Sequence, residues 1–363
     1  MVKRILLAMA VWMTGTVAIL GSAQAEDTPL HWNNVGNSGA DVAVVGETEF
    51  VYESNTFRYS EDDIQAYDSN IRRTTKFASV ESVDDFGQQY TVGAYVSKEF
   101  IEHLPTTFEH RSKFNLYSDN DEKNFEEYRF EVSQNLSRYH DILKFRYVNV
   151  PEFYVRNLLD EDTGTYKKAE FEKQSFSVSY WKQISRSIRL RFLYTLDDKD
   201  YVSDFDERDN LTHSFNLALI LPELLSSIKV VPYYEYSTSD AEASDADPAP
   251  DDDISYDQNA FGIRLTYDFM PQWRLKPYYE FAHKEYNTSQ SVAIDPLHAG
   301  REDDTFSVGT AVEFNLTKQI VLYIKYDYSE CNPTTQIPAA LTTRDDVLGY
   351  KNHTTSFGAE FNF

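Results

Sequence analysis

Charged side chains and large apolar ones take alternate positions in several stretches of this chain. In "SIRLRFLYTL", Arg189 and Arg191 alternate with Ile188, Leu190, Phe192, Tyr194 and Leu196; in "NAFGIRLTYDFM", Arg264 and Asp268 alternate with Phe261, Ile263, Leu265, Tyr267 and Phe269. "WRLKPYYEF" sets Arg274, Lys276, Tyr278 and Glu280 against Trp273, Leu275, Pro277, Tyr279 and Phe281. On an extended chain a period of two sends the two sets to opposite faces. The chemistry open to such charges is collective: lining a tube with low-dielectric walls, they focus a field on passing ions and solutes. The same phase adds Arg111, Lys113, Arg129, Lys144, Arg146, Lys229 and Lys325, with Glu131, Glu235, Glu313, Asp327 and Glu360, and with Tyr95, Tyr233 and Tyr323. Two readings stand, a selective charged wall or one whose charges pair across strands and only keep the surface wet. The tyrosines likewise read as stacking surfaces for sugar rings or as lumenal packing.

Other reactive residue types supply less. The acidic run "DAEASDADPAPDDD" (240–253) offers carboxylates to divalent cations but lacks the spacing of a calcium loop, and reads as a solvated loop. The eight histidines include His103, His110, His140, His213, His283 and His353, and none is spaced with Ser or Asp as a nucleophile and base would be. No enzyme activity, cofactor or metal is expected. Cys331 is the lone cysteine and has no partner for an internal disulfide.

Placing these charges on one surface takes many strands. Counting back from the C-terminus, alternation bounded by turn residues predicts strands at 352–363, 318–331, 304–316, 273–287, 257–270, 227–238, 210–221, 187–201, 168–183, 141–156, 124–137, 106–119, 87–98 and 70–82. That is about fourteen; "GETEFVYESNTFRY" (46–59) could add two short strands, making sixteen, or form a plug or a periplasmic tail. Short connections at 138–141, 185–187, 270–272 and 316–318 alternate with long ones at 237–255, 287–304 and 332–352. A membrane barrel with short periplasmic turns and long external loops produces this rhythm, and a sandwich does not require it.

At the N-terminus, Lys3 and Arg4 precede an apolar stretch from Ile5 to about Leu20 and the triplet Ala23-Gln24-Ala25, which reads as a signal peptide over residues 1–25. No later run approaches the roughly 20 apolar residues of a spanning helix. A membrane role therefore needs a closed barrel. Loss of Lys3 and Arg4 with the leader takes the net charge from -25 to about -27, which excludes nucleic acid as a natural partner. The 26 Tyr and 24 Phe, high for a chain only 41% hydrophobic, suit an apolar band with aromatic girdles around a polar lumen. The expected organisation is a segment at 26–69, periplasmic, plug-like or carrying extra strands, followed by an all-β, transmembrane antiparallel up-and-down barrel over 70–363.

The chain closes on "SFGAEFNF", where Ser356, Gly358, Phe361 and Phe363 stand in order as polar residue, glycine, apolar residue and terminal aromatic. This resembles the C-terminal signal by which the barrel-assembly machinery recognises outer-membrane barrels of Gram-negative bacteria. The wider layout, with "YDSNIRR" and "RDDVLGYKNHTTSFGAEFNF", resembles porin-like β-barrel families associated with carbohydrate uptake or exopolysaccharide. The resemblance implies an outer-membrane location, lipid and the assembly machinery as partners, and a channel for small hydrophilic solutes. The constriction-loop signature of trimeric general porins is absent, so a monomer is expected. Arg129, Arg146, Arg191, Arg264 and Lys325 outnumber Glu131, Asp268 and Asp327 on the expected pore wall, which Tyr278 and Tyr323 share. That balance favours acidic oligosaccharides; a surface adhesin or structural barrel, or less readily a membrane-embedded hydrolase, is the alternative.

Overall fold

Alternating side chains decide the architecture, because each such segment can bury neither face alone and must pair its backbone on both edges. The computed structural model describes residues 33–34, 40–71, 75–137, 141–160, 163–222, 227–242, 253–288, 291–292, 295, 298–335 and 349–363. Among these, the strands in chain order are β1 (Asn33–Asn34), β2 (Ala40–Glu53), β3 (Asp85–Ile101), β4 (Leu104–Tyr117), β5 (Phe125–Asn135), β6 (Ile142–Asp160), β7 (Thr165–Ser185), β8 (Ile188–Tyr201), β9 (Asn210–Ile220), β10 (Ile228–Ala241), β11 (Tyr256–Met270), β12 (Trp273–Tyr286), β13 (Glu302–Asn315), β14 (Ile320–Thr334) and β15 (Tyr350–Asn362). Each of β2 to β15 pairs antiparallel with its neighbours in sequence, and β15 returns to β2 with Phe357 opposite Phe50 and Asn362 opposite Val45. The result is a closed fourteen-stranded up-and-down barrel, to which β1 adds a two-residue pairing on β2.

The strand expected at 70–82 is not there. Tyr67–Ile71 is a π-helical turn and Thr75–Phe77 a 3-10 turn, and Phe77 and Val80 are buried because their three-residue spacing suits a folded lobe better than a strand. The first barrel strand is instead β2, so the barrel starts at Ala40 within the segment set apart as 26–69. The count stays at fourteen because one strand is lost and one gained. The leader, residues 1–25, lies outside the described residues.

The phase of the strands separates two surfaces. Ile324 is 61% exposed, Phe261 55% and Phe357 53%, all on the outer face, where aromatic pairs such as Phe50 with Phe357 (centroids 4.7 Å apart) run across the joint between first and last strands. The polar set turns inward. At one end the connections are short, as at Met270–Trp273 and Ser185–Ile188, and at the other they are mostly longer, as at 54–84, although only 161–164 joins β6 to β7.

The 54–84 connection at the long-loop end folds into a lobe of its own. Helix α1 (Glu61–Ala66) starts on Ser60, whose hydroxyl accepts the Asp63 N–H at 3.0 Å and caps the first turn. Phe57, Tyr59, Tyr67, Phe77, Val80 and Val83 cluster with Tyr154 of β6 as a small apolar core. Asn120 fastens the lobe to the rim: its side-chain oxygen accepts the Glu81 N–H at 3.0 Å, and its amide donates to the Asp85 carboxylate at 2.7 Å.

Candidate functional site

The inner faces of the strands enclose a cavity of about 520 Å³ whose wall includes Glu47 and Glu49 of β2, Lys113 of β4, Arg129 of β5, Arg191 of β8, Arg264 of β11 and Lys325 of β14. Phe57 and Arg58 of the lobe also border it. Of the residues expected on the pore wall, Arg129, Arg191, Arg264, Lys325, Asp327, Tyr278 and Tyr323 line the cavity. Arg146, Glu131 and Asp268 share the inward phase but sit nearer the short turns, outside the cavity's lining.

The charges are organised as ladders. Arg129 donates to Glu109 at 2.6 Å, and Arg111 bridges to the same carboxylate at 2.8 Å. Glu131 gathers Arg146 at 2.8 Å, Lys144 at 3.2 Å and Arg129 at 4.0 Å. On the opposite arc Lys276 meets Glu313 at 2.6 Å, and Arg274 meets Asp268 at 2.8 Å. Lys325 lies 3.1 Å from Glu49. The basic excess expected of the wall is therefore offset by Glu47, Glu49, Glu109 and Glu127, which join the inner face. Their signal was present in the repeated Glu of "GETEFVYE" and in the shared phase of Glu109, Arg111 and Lys113. For Glu47 and Glu49 the sequence leaves 46–59 open between extra strands, a plug and a tail.

The tyrosines are fixed parts of this wall. Tyr323 donates to Glu47 at 2.7 Å and to Glu49 at 3.2 Å, and Lys325 lies 4.2 Å from its ring centroid. Arg264 covers Tyr233 at 4.5 Å. Each of three rings approaches a glycine of the facing strand: Tyr233 at Gly262, Tyr278 at Gly309 and Tyr323 at Gly358. A Cβ at any of these glycines would strike the ring. With hydroxyls tied to carboxylates and two faces under cations, Tyr233 and Tyr323 serve as packing rather than as open sugar platforms.

Gly358 thus has a local reason to be glycine besides its place in the terminal motif. Ser356 donates to Glu49 on the inner face, and Phe361 stands opposite Gly46 and Ile320. Phe363 exchanges backbone hydrogen bonds with Val44, at 2.7 and 2.8 Å, so the final residue completes the ring.

At the long-loop end of the cavity, Lys123 lies in the connection between β4 and β5 and belongs to the lining. Its ammonium donates to the carbonyls of Tyr154 (3.1 Å) and Val155 (2.6 Å) and sits 4.8 Å from the Phe57 ring centroid. Burial pushes its pKa down to about 7; Glu53 opposes the shift, while Arg58 and Arg156 add to it. Sequence reasoning passed over this lysine because it falls between strands.

Among the described residues the histidines do not assemble a catalytic group; buried His298 meets Asp295 at 3.1 Å and packs beside Tyr286. His213, His283 and His353 take the outward phase and bond to Tyr194, Asp304 and Tyr326, and His140 lies outside the described residues. His103 is in a short turn with φ 63°. One contact went unforeseen: His110 Nε2 and Ser112 Oγ are 3.1 Å apart on the outer face of β4. His110 stacks on Phe130, but its Nδ1 has no hydrogen-bond partner, so no acceptor fixes the tautomer a base would require.

No family model matches this chain, and no curated protein matches it. Among solved structures, it is similar to an anion-selective porin from Comamonas acidovorans, with 8% identity over 89% of this chain and 99% of that one and a TM-score of 0.46. The outer membrane channel DcaP of Acinetobacter baumannii gives 9% identity, 90% and 98% coverage and a TM-score of 0.47. The outer-membrane-expressed OmpT of Vibrio cholerae gives 11% identity, 91% and 99% coverage and a TM-score of 0.45.

Proposed function

We propose that this chain is a porin-like channel of a Gram-negative outer membrane that passes small hydrophilic solutes, acidic oligosaccharides among them. One observation carries the reading: a sheet with no open edge turns an apolar, aromatic surface outward and a charged cavity inward. In water that outer surface would drive aggregation, whereas in lipid it is the required solvent-facing side. Delivery by a cleaved leader, insertion by the barrel-assembly machinery through Ser356, Gly358, Phe361 and Phe363, and a monomeric state belong to the same reading. Paired charges at mid-wall argue for modest ion selectivity there. Among the described residues the one serine–histidine side-chain contact, Ser112 with His110, has no hydrogen-bonding group on Nδ1, which counts against the hydrolase reading, and nothing in them favours the adhesin.

The test is conductance of the purified mature protein in a planar bilayer. Discrete steps that grow with salt concentration are expected. A silent bilayer at several voltages, with the protein folded and inserted, would reject the channel.

A further inference from the structure

Two lysines of the inner wall lack a carboxylate of their own. Lys199 of β8 and Lys284 of β12 share the inward phase of Arg191 and Glu280, and both lie towards the long-loop end. Among the described residues neither forms an ion pair or a hydrogen bond. Asp197, which attracts Lys199, binds Lys173 through Oδ2 at 2.9 Å and leaves Oδ1 without a hydrogen-bond partner. Asp303, which attracts Lys284, is gripped by two nitrogens of Arg301 at 2.7 and 2.8 Å. Among the described groups that act most strongly on the two lysines, Lys173 and Arg301 are the further cations and Asp197 and Asp303 the carboxylates.

Aromatic rings hold the two ammonium groups in place without neutralising them. Lys284 sits 4.1 Å from the Tyr256 ring centroid and 5.4 Å from that of Tyr286, and Lys199 sits 5.4 Å from that of Phe171. The like charges of Lys173 and Lys284 both act on Lys199, so the arrangement raises the energy of the empty wall. Strand register puts the pieces on one arc: Lys199 faces Asn210, Ser239 faces Tyr256, and Tyr256 faces Tyr286. Between the lysines lies a floor of hydroxyl and amide groups, where Thr212 donates to Ser239 at 2.8 Å.

We propose that Lys199 and Lys284 form an anion-binding site at the long-loop rim that captures acidic oligosaccharides, uronic-acid chains in particular, before they enter the cavity. Two separately anchored ammonium groups with a polar floor between them fit a ligand that carries successive carboxylates and hydroxyls. Single small anions would engage one lysine and bind weakly. The proposal rests on the channel reading for its role but not for its detection.

Calorimetry on the full folded chain in detergent tests it, with trigalacturonic acid as probe and maltotriose as the neutral control. Wild type should bind the acidic probe and not the neutral one, with affinity falling between about 50 and 500 mM KCl. Lys199→Gln with Lys284→Gln should weaken binding about tenfold or more, and Lys199→Arg with Lys284→Arg should retain it. Heat-modifiable mobility in gels reports folding; should the double Gln variant not fold, each single Gln variant is expected to lose affinity a few-fold. No binding by wild type, equal binding of both probes, or unchanged affinity in the folded Gln variants would overturn the site. Acid-specific binding by a protein that does not conduct keeps the site and rejects the channel. Conductance without acid-specific binding does the reverse.

Discussion

Glu49 is the carboxylate through which the two ends of the ring hold each other, and Glu49→Gln should weaken that joint measurably. It belongs to β2, is 4% exposed, and accepts from Lys325 of β14 at 3.2 Å, from Tyr323 at 3.2 Å and from Ser356 of β15. Glutamine keeps the shape and removes the charge. Orphaning one member of a buried ion pair typically costs about 3–5 kcal/mol. Here Lys325 keeps the attraction of Glu47 and the cavity can admit water, so we expect about 2 kcal/mol, read from equilibrium guanidinium unfolding in lipid vesicles. The same change leaves Lys325 less compensated in the cavity wall. At contact distance in a water-like medium one unit charge is worth about 1 kcal/mol, so the anion-to-cation permeability ratio should rise about fivefold, seen as a shifted reversal potential in a salt gradient. Stability within about 0.5 kcal/mol of wild type together with an unmoved reversal potential would refute the argument.

Three further outcomes are expected. Leu265→Arg, on the lipid face, should destabilise the barrel by about 2–4 kcal/mol if it lies near mid-membrane, and Thr266→Arg, on the lumen face, should be mild; equal tolerance in vesicle unfolding would mean that the phase of β11 is wrong. Deleting Phe363 removes the backbone exchange with Val44, so the heat-modifiable fraction in the outer membrane should fall, and normal levels would count against an assembly role. Lys123 titrates near 7 when folded against about 10.4 when unfolded, so the unfolded state binds more protons between those values and the lobe should gain about 2 kcal/mol from pH 7 to 9. Amide exchange over 54–84 should show that gain, and Lys123→Met should abolish it.

Alternation made most of the barrel legible. From β3 to β15 the strands lie within a few residues of the segments read from the chain, because lipid outside and water inside leave a period-two imprint on each. β2 reads at most as short strands at 46–59 because its outer face, Val44, Gly46, Thr48, Phe50 and Tyr52, is interrupted by glycine and threonine, so the pattern fades halfway. That strand carries Glu47, Glu49 and Glu53, and without it the wall read as basic. Pairing between strands is the part no linear pattern states. Arg129 belongs with Glu109, twenty residues away, only once β4 and β5 lie in register. The rim lysines were equally hidden, since what distinguishes Lys199 and Lys284 is that Lys173 and Arg301, rather than they, contact Asp197 and Asp303.

The joint between β2 and β15 also governs how the protein can form. Neighbouring strands elsewhere in the ring are joined by a single connection, but Glu49 and Ser356 meet across 307 residues. Bringing such distant points together costs about 5 kcal/mol of chain entropy beyond a constant, and nothing repays it until the whole ring is present. Until then the growing sheet has two unpaired margins, each able to recruit another copy. Folding therefore has one late, all-or-none event, and whatever holds β2 and β15 apart from other partners during that interval decides yield more than any contact in the finished wall.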